Sequence, residues 1–297
     1  MDFKAPLRRF DELQQKVPAL AFPLGVVKKY GEDEGGSMAS LISYRAFFSL
    51  FPLLLLMTTI LGYVLAGNEE LREEVVTSTL SQFPIIGNQL KGGSLTGSGV
   101  ALAVGIIGSV LAGLGVILET EQTFNRCWGV PKHAERGFVG SRLRGIGLLV
   151  VLGGLAVVST VVSGLAAGGA DFLGAGGKIA GLAIATVLNL FVFGAVFRLL
   201  TTDTVETRSL IPGVIVATIG WEILQVVGGW YISHEVKNAS AVYGTFALVI
   251  GLLAWIHLGA MFVVLGAETN VVRTRKLWPR PLFGGHGTAD GDEKTRE

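Results

Sequence analysis

The stretch Ile42-Ser43-Tyr44-Arg45-Ala46-Phe47-Phe48-Ser49-Leu50-Phe51-Pro52-Leu53-Leu54-Leu55-Leu56-Met57 decides the fold. It belongs to an apolar run near 41–66, long enough for the roughly 20 residues that a helix needs to cross a bilayer. Yet it carries a full charge at Arg45. A guanidinium at the centre of a span costs about 3 kcal/mol even on the gentlest scale, so Arg45 requires a partner, water or the interface. Five more apolar segments follow, near 97–118, 143–168, 178–200, 210–232 and 243–268. Composition agrees: 50% of residues are hydrophobic, 16% are charged, and mean hydropathy is +0.57, well away from an ordinary soluble domain. The fold class predicted is an all-α polytopic membrane protein with about six transmembrane helices plus N-terminal interfacial helices.

An even number of spans puts both termini on one side, and the basic residues choose that side. Lys4, Arg8, Arg9, Lys16, Lys28 and Lys29 precede the first span, and Arg126, Lys132, Arg136, Arg142 and Arg144 follow the second. Arg198, Arg208, Arg273, Arg275, Lys276 and Arg280 fall on the same face, against Arg72, Lys91, Lys178 and Lys237 opposite. The asymmetry predicts cytoplasmic termini. The basic loop after the second span then serves topology and anchoring on anionic lipid head groups rather than nucleic-acid binding. The opening residues lack the apolar core and cleavage site of a secretory signal, so the N-terminus is expected to be retained.

Three regions result: a cytoplasmic, interfacial N-terminal segment (1–40), a six-helix transmembrane domain (41–270) and a polar cytoplasmic tail (271–297) expected to be disordered. Leu7, Phe10, Leu13, Val17 and Leu20 recur at helical spacing, with Pro18 and Pro23 predicted to break that helix into short pieces. Leu71, Val75, Val76 and Leu80 suggest an amphipathic cap within Glu69–Phe83. Gly105, Ser109 and Gly113 form a small-residue face suited to packing against a neighbouring helix of the same chain. The Gly174-Ala175-Gly176-Gly177-Lys178 run lacks the full phosphate-loop pattern and reads as an external turn. Asn238-Ala239-Ser240, a glycosylation tripeptide, carries little weight.

Polar residues at hydrocarbon depth are the candidates for function. Asn189, Glu222 and His257 all fall about midway along their spans, and Gln225 shares a face with Glu222. A common polar cavity between the fourth, fifth and sixth spans is expected. The alternative reading makes Asn189 and Gln225 interhelical glue and His257 an ordinary interhelical hydrogen-bonder. A buried carboxylate alone takes up a proton, whereas water or a cation keeps it charged; either behaviour suits Glu222 as a proton carrier or cation contact. Arg45 is equally suited to an ion pair with Glu268 and to an anion or lipid-phosphate contact. Pro52, on the Arg45 face, frees a carbonyl one turn back and marks a helix kink.

Enzymatic chemistry finds little footing. His133, His234 and His286 are scattered, so no metal-ligand spacing exists, and no cofactor is implied. Cys127, the only cysteine, has no adjacent base and excludes an intramolecular disulfide.

The segments Ser43–Pro52, Phe124-Asn125-Arg126-Cys127-Trp128-Gly129-Val130, and Tyr243-Gly244 through Trp255 to Gly266-Ala267-Glu268-Thr269-Asn270, with Pro212-Gly213 and Trp221, resemble the YihY/BrkB family of bacterial inner-membrane proteins, historically mislabelled ribonuclease BN. The resemblance covers most of residues 20–275. It implies a six-helix protein of the bacterial inner membrane that moves lipid or envelope components. The function expected is therefore a transporter or flippase of a lipid, amphiphile or small solute. The second reading is a non-transporting scaffold acting through an envelope-protein partner or a homo-oligomer, and ribonuclease activity is not expected.

Overall fold

Residues 16–64, 99–234 and 244–280 are described by a computed structural model, in which every long element is an α-helix. In chain order these are α1 (Pro18–Glu32), α2 (Gly35–Val64), α3 (Gly99–Cys127), α4 (Phe138–Leu200), α5 (Ile211–His234) and α6 (Gly244–Thr274). Short 3-10 turns occupy Lys132–Ala134 and Thr207–Leu210. The Glu69–Phe83 cap, the Asn238 tripeptide, the first fifteen residues and the tail beyond Arg280 lie outside the described residues.

Pro18 stands at the start of α1, where the missing N–H would have no helical partner anyway. Pro23 lies inside the same helix and does not end it, contrary to the expectation of short pieces. Packing explains the difference: α1 buries Ala21, Gly25, Val26 and Lys29, and a Cβ at Gly25 would lie 3.2 Å from the Trp278 side chain. Tertiary contact thus holds a helix that local propensity disfavours. Only Asp33 and Glu34 separate α1 from α2, with Glu34 in a left-handed turn at φ 57°. The first spanning helix consequently begins at Gly35, not near 41.

Six segments are long and apolar enough to cross a membrane: Gly35–Leu56, Leu102–Cys127, Phe138–Leu155, Ala183–Leu200, Thr207–Gly228 and Val249–Thr274. Two of them lie within α4, which covers 63 residues. A straight helix of that length would extend about 95 Å. Its ends nevertheless meet, because Arg144 near the start binds Asp203 just past the finish at 2.6 Å. The element must therefore double back between Leu155 and Ala183. The interval of reversal contains the Gly174–Lys178 run read from sequence as a turn.

Small residues set the close approaches. A Cβ at Gly105 would meet the Leu56 backbone at 3.0 Å, one at Gly108 would meet Pro52 at 2.9 Å, and one at Gly113 would meet Leu149 at 3.0 Å. The small-residue face of α3 therefore packs within the chain, on α2 and α4, and Pro52 seats on glycine. The buried core gathers at the end of the bundle nearest the termini, around Met38, Phe124, Phe197, Val264 and Leu277. Phe124 and Phe197 stack there with ring centroids 4.9 Å apart. Phe48, Ile107, Leu111, Phe191, Ile219 and Val226 point outward, an apolar girdle of the kind lipid covers.

The tightest crossing joins α5 to α6. The Gly213 N–H donates to Asn270 Oδ1 at 2.7 Å, and a Cβ at Gly213 would overlap the Gly266 carbonyl and the Asn270 amide. Gly213→Ala is accordingly expected to destabilise the folded protein by about 1–3 kcal/mol, the usual range for overpacking. Thermal unfolding in detergent would reveal it, and Gly153→Ala, where a Cβ meets open space, should leave the transition unmoved.

Candidate functional site

Asn189 and Glu222 each lie about 16 Å along their helices from the end nearest the termini, at mid-span depth. The structure brings them into direct contact: Asn189 Nδ2 donates to Glu222 Oε1 at 2.7 Å, linking α4 to α5. Among the described residues, no cationic side chain pairs with Glu222. Beside the pair, Phe193, Trp221 and Trp255 form an aromatic wall, with centroids 6.4 Å apart for Phe193–Trp221 and 5.1 Å for Trp221–Trp255. Gln225, one turn on, has a buried Oε1 that accepts no hydrogen bond among the described residues. His257 turns toward α2, where Nδ1 lies 3.5 Å from Ser43 Oγ. The expected grouping of three is thus a bonded pair plus a histidine whose hydrogen-bonding neighbour is on the first span.

Arg45 pairs with Glu119 rather than with Glu268. Its Nε donates to Glu119 Oε2 on α3 at 2.7 Å, and its guanidinium extends over Gly115, where a Cβ would lie 3.6 Å from the nearest nitrogen. A larger residue at 115 would crowd that reach. The ion pair expected with Glu268 is therefore replaced by one with Glu119, a residue sequence reading passed over although it lies in the second span's last turns. Half of the Arg45 side chain stays exposed, at 50% against 7% for Glu119.

Glu268, fully buried, is matched instead by Lys29 of α1, with Nζ 3.5 Å from Oε2. Lys29 also pairs with Asp33. Burial works against the Lys29 charge, but the Glu268 and Asp33 carboxylates outweigh it and hold the ammonium above the ordinary lysine value. Burial, then Glu268, pushes the nearby Tyr30 phenol up as well. Cys127 is 1% exposed, a thiol sealed in the core and so unsuited to nucleophilic work.

Two residues of the basic stretch, Arg136 and Arg144, have partners within the chain. Arg136 donates to Glu121 Oε1 at 3.0 Å, to the Leu199 and Leu200 carbonyls at 3.2 and 3.4 Å, and to the Thr201 carbonyl. It thereby caps the C-terminal end of α4, where backbone carbonyls lack helical partners. Arg144 grips Asp203 with both amino groups, at 2.8 and 2.6 Å. That hydrogen bonding, with the charges of Arg136 and Arg144 and against slight burial, holds the Asp203 carboxyl below its usual range. Arg275 donates to the Trp128 carbonyl. None of these pairings could be read from sequence, since partners lie 15 to 147 residues apart. Among the described residues no cluster of three His, Cys, Asp or Glu side chains could hold a metal.

The Lys29–Glu268 pair is expected to behave as a structural lock. Lys29→Met alone should cost about 3–5 kcal/mol by stranding a buried carboxylate, whereas Lys29→Met with Glu268→Met should recover most of that loss. A double-mutant cycle of thermal unfolding measures the difference.

Comparison with known proteins places this architecture. The chain is 26% identical to YfkH of Bacillus subtilis strain 168, named as ribonuclease-like, over 88% of this chain and 98% of that relative. It is 24% identical to the inner membrane protein YhjD of Escherichia coli K12, over 91% of this chain and 86% of that one. It is 26% identical to the UPF0761 membrane protein RSc1559 of Ralstonia nicotianae over 92% of this chain, spanning 64% of that longer protein. No solved structure matches. The family profile described as Virulence factor BrkB matches residues 26–282, and the chain is an integral membrane protein belonging to that family.

Proposed function

We propose that the protein transports or flips a lipid, amphiphile or small solute across the bacterial inner membrane, using the Asn189–Glu222 pair as its polar centre. One observation carries this reading. Four carboxylates lie within the spanning segments of the described residues: Glu119, Glu121, Glu222 and Glu268. Three have cationic partners, Arg45, Arg136 and Lys29 respectively. Glu222 has an amide donor instead. A carboxylate at mid-span without a countercharge is suited to take up and release a proton or to meet a passing cation. Gln225, with its unmatched Oε1 one turn away, extends the polar surface along α5. The basic-residue asymmetry supports cytoplasmic termini, which would put the well-packed end of the bundle at the cytoplasmic face.

The test is reconstitution into vesicles loaded with fluorescent short-chain phospholipid, with loss of outer-leaflet fluorescence reporting transbilayer movement. Wild-type protein is expected to accelerate exchange, and Glu222→Gln, which keeps the shape and the Asn189 contact, to slow it at least about tenfold, the scale of a 1.4 kcal/mol change in barrier. Unchanged exchange in Glu222→Gln would remove that carboxylate from the mechanism. Inert wild-type vesicles together with a copurifying envelope protein would favour scaffolding instead. Arg45 enters the same experiment from the structural side: Arg45→Glu and Glu119→Arg should each lower thermal stability, and the exchanged pair should restore it. Restored stability with lost transport would place Arg45 on the cargo path.

A further inference from the structure

Where α3 ends and α4 begins, a cleft of ≈ 210 Å³ opens, lined in part by Glu121, Asn125, Glu135, Arg136, Phe138 and Arg142. It is well away from Asn189 and Glu222. Glu121 and Asn125 lie in the last two turns of the second span and Phe138 is the first residue of the third, so the cleft sits at head-group depth. Its volume matches about seven waters at ≈ 30 Å³ each, enough for a small polar group and too little for a whole lipid.

The lining is built for a ligand with two charges. Asn125 is 6% exposed, yet its side-chain amide has no hydrogen-bond partner among the described residues. That amide opens onto the cleft, where a polar group of a ligand can reach it. Glu121 is 3% exposed; its Oε1 is committed to Arg136 and Ser141, while Oε2 accepts nothing among the described residues. Arg136 commits both terminal nitrogens to Glu121 and the α4 carbonyls, and its remaining Nε is buried, so it offers an incoming anion little. Arg142 is the cation left at the rim, donating only to the Phe138 carbonyl at 3.3 Å. A simple anion would face the Glu121 and Glu135 carboxylates, and a simple cation would face Arg142.

We infer that this cleft binds a zwitterion joining a primary ammonium to a phosphate, with the ammonium donating to Glu121 Oε2 and Asn125 Oδ1 and the phosphate meeting Arg142. A quaternary ammonium is disfavoured twice over. It has no N–H to donate, and the Phe138 face that could attract it is covered by the Arg142 guanidinium, 3.3 Å from the ring centroid. Phosphatidylethanolamine-type head groups carry this chemistry at this depth, and free phosphoethanolamine carries it in solution.

The inference is independent of transport through Glu222, and its test reads binding alone. Full-length protein in detergent is offered dioleoyl phosphatidylethanolamine, phosphatidylcholine and phosphatidylglycerol in equal amounts, and bound lipid is counted by native mass spectrometry. Phosphatidylethanolamine is expected to be retained at least about tenfold over both others, and Asn125→Ala and Arg142→Gln each to bring it down to their level. Glu121→Gln, which keeps the Arg136 and Ser141 contacts in shape, should do the same, and Asn125→Ala stands alone if that variant fails to fold. Displacement by millimolar phosphoethanolamine would assign the site to the free zwitterion, and resistance to displacement to the lipid; either supports the charge pattern. Equal or stronger retention of phosphatidylglycerol, or an ethanolamine preference untouched in folded Asn125→Ala, would overturn it.

Discussion

Charge within the spanning segments must be cancelled by the chain itself, because acyl tails supply neither water nor counterions. That constraint organises the end of the bundle near the termini. Lys29 reaches from α1 to Glu268 on α6, Arg45 from α2 to Glu119 on α3, and Arg136 from the following loop to Glu121 on α3 and the last carbonyls of α4. Each bond joins different helices, so cancelling a charge also fixes a helix position. Removing Lys29, Arg45 or Arg136 would leave a buried carboxylate uncompensated, which costs more than the intact pair contributes. The pairs therefore specify the arrangement more than they strengthen it.

Neutral polar groups follow the same rule at closer range. Asn270 places its side-chain oxygen on the Gly213 N–H, an amide near the start of α5 that has no helical acceptor. The glycines at 213 and 266 permit the backbone approach that makes this bond reachable. At the end of α3, Gly129 adopts φ 59°, and the Val130 N–H returns to the Asn125 carbonyl at 2.8 Å, closing the helix with a left-handed cap. The segments by which the sequence resembles its family thus have structural work in this chain: Phe124 to Val130 makes a helix end, and Gly266 to Asn270 makes a crossing.

Span number was legible because a run of twenty apolar residues has few physical alternatives. Depth was legible too, since a constant rise per residue put Asn189 and Glu222 level, and they bond. Azimuth was not. Which face of each helix meets which neighbour depends on packing over separations of tens to hundreds of residues, so Arg45 was equally suited to Glu268 and to an anion before its bond to Glu119 was seen. The reversal within α4 was legible as a change of direction, because glycine-rich sequence signals a turn locally. Pro23 failed as a breaker because contacts of α1 with the α6 end outweigh a local preference.

With the other carboxylates of the spanning segments paired to cations, Glu222 stands apart in a way that composition alone could not show. Its amide partner hydrogen-bonds either protonation state, since Asn189 can donate to a carboxylate or, after rotation, accept from a carboxylic acid. A lysine or arginine in that place would favour the charged state alone and hold the helix pair in one arrangement. An amide leaves both states supportable at mid-span, beside an aromatic wall that supplies no competing charge. The pairing that welds the bundle near the termini and the amide-held acid deeper in are therefore complementary: the first fixes where the helices stand, and the second joins α4 to α5 at mid-span without a countercharge among the described residues.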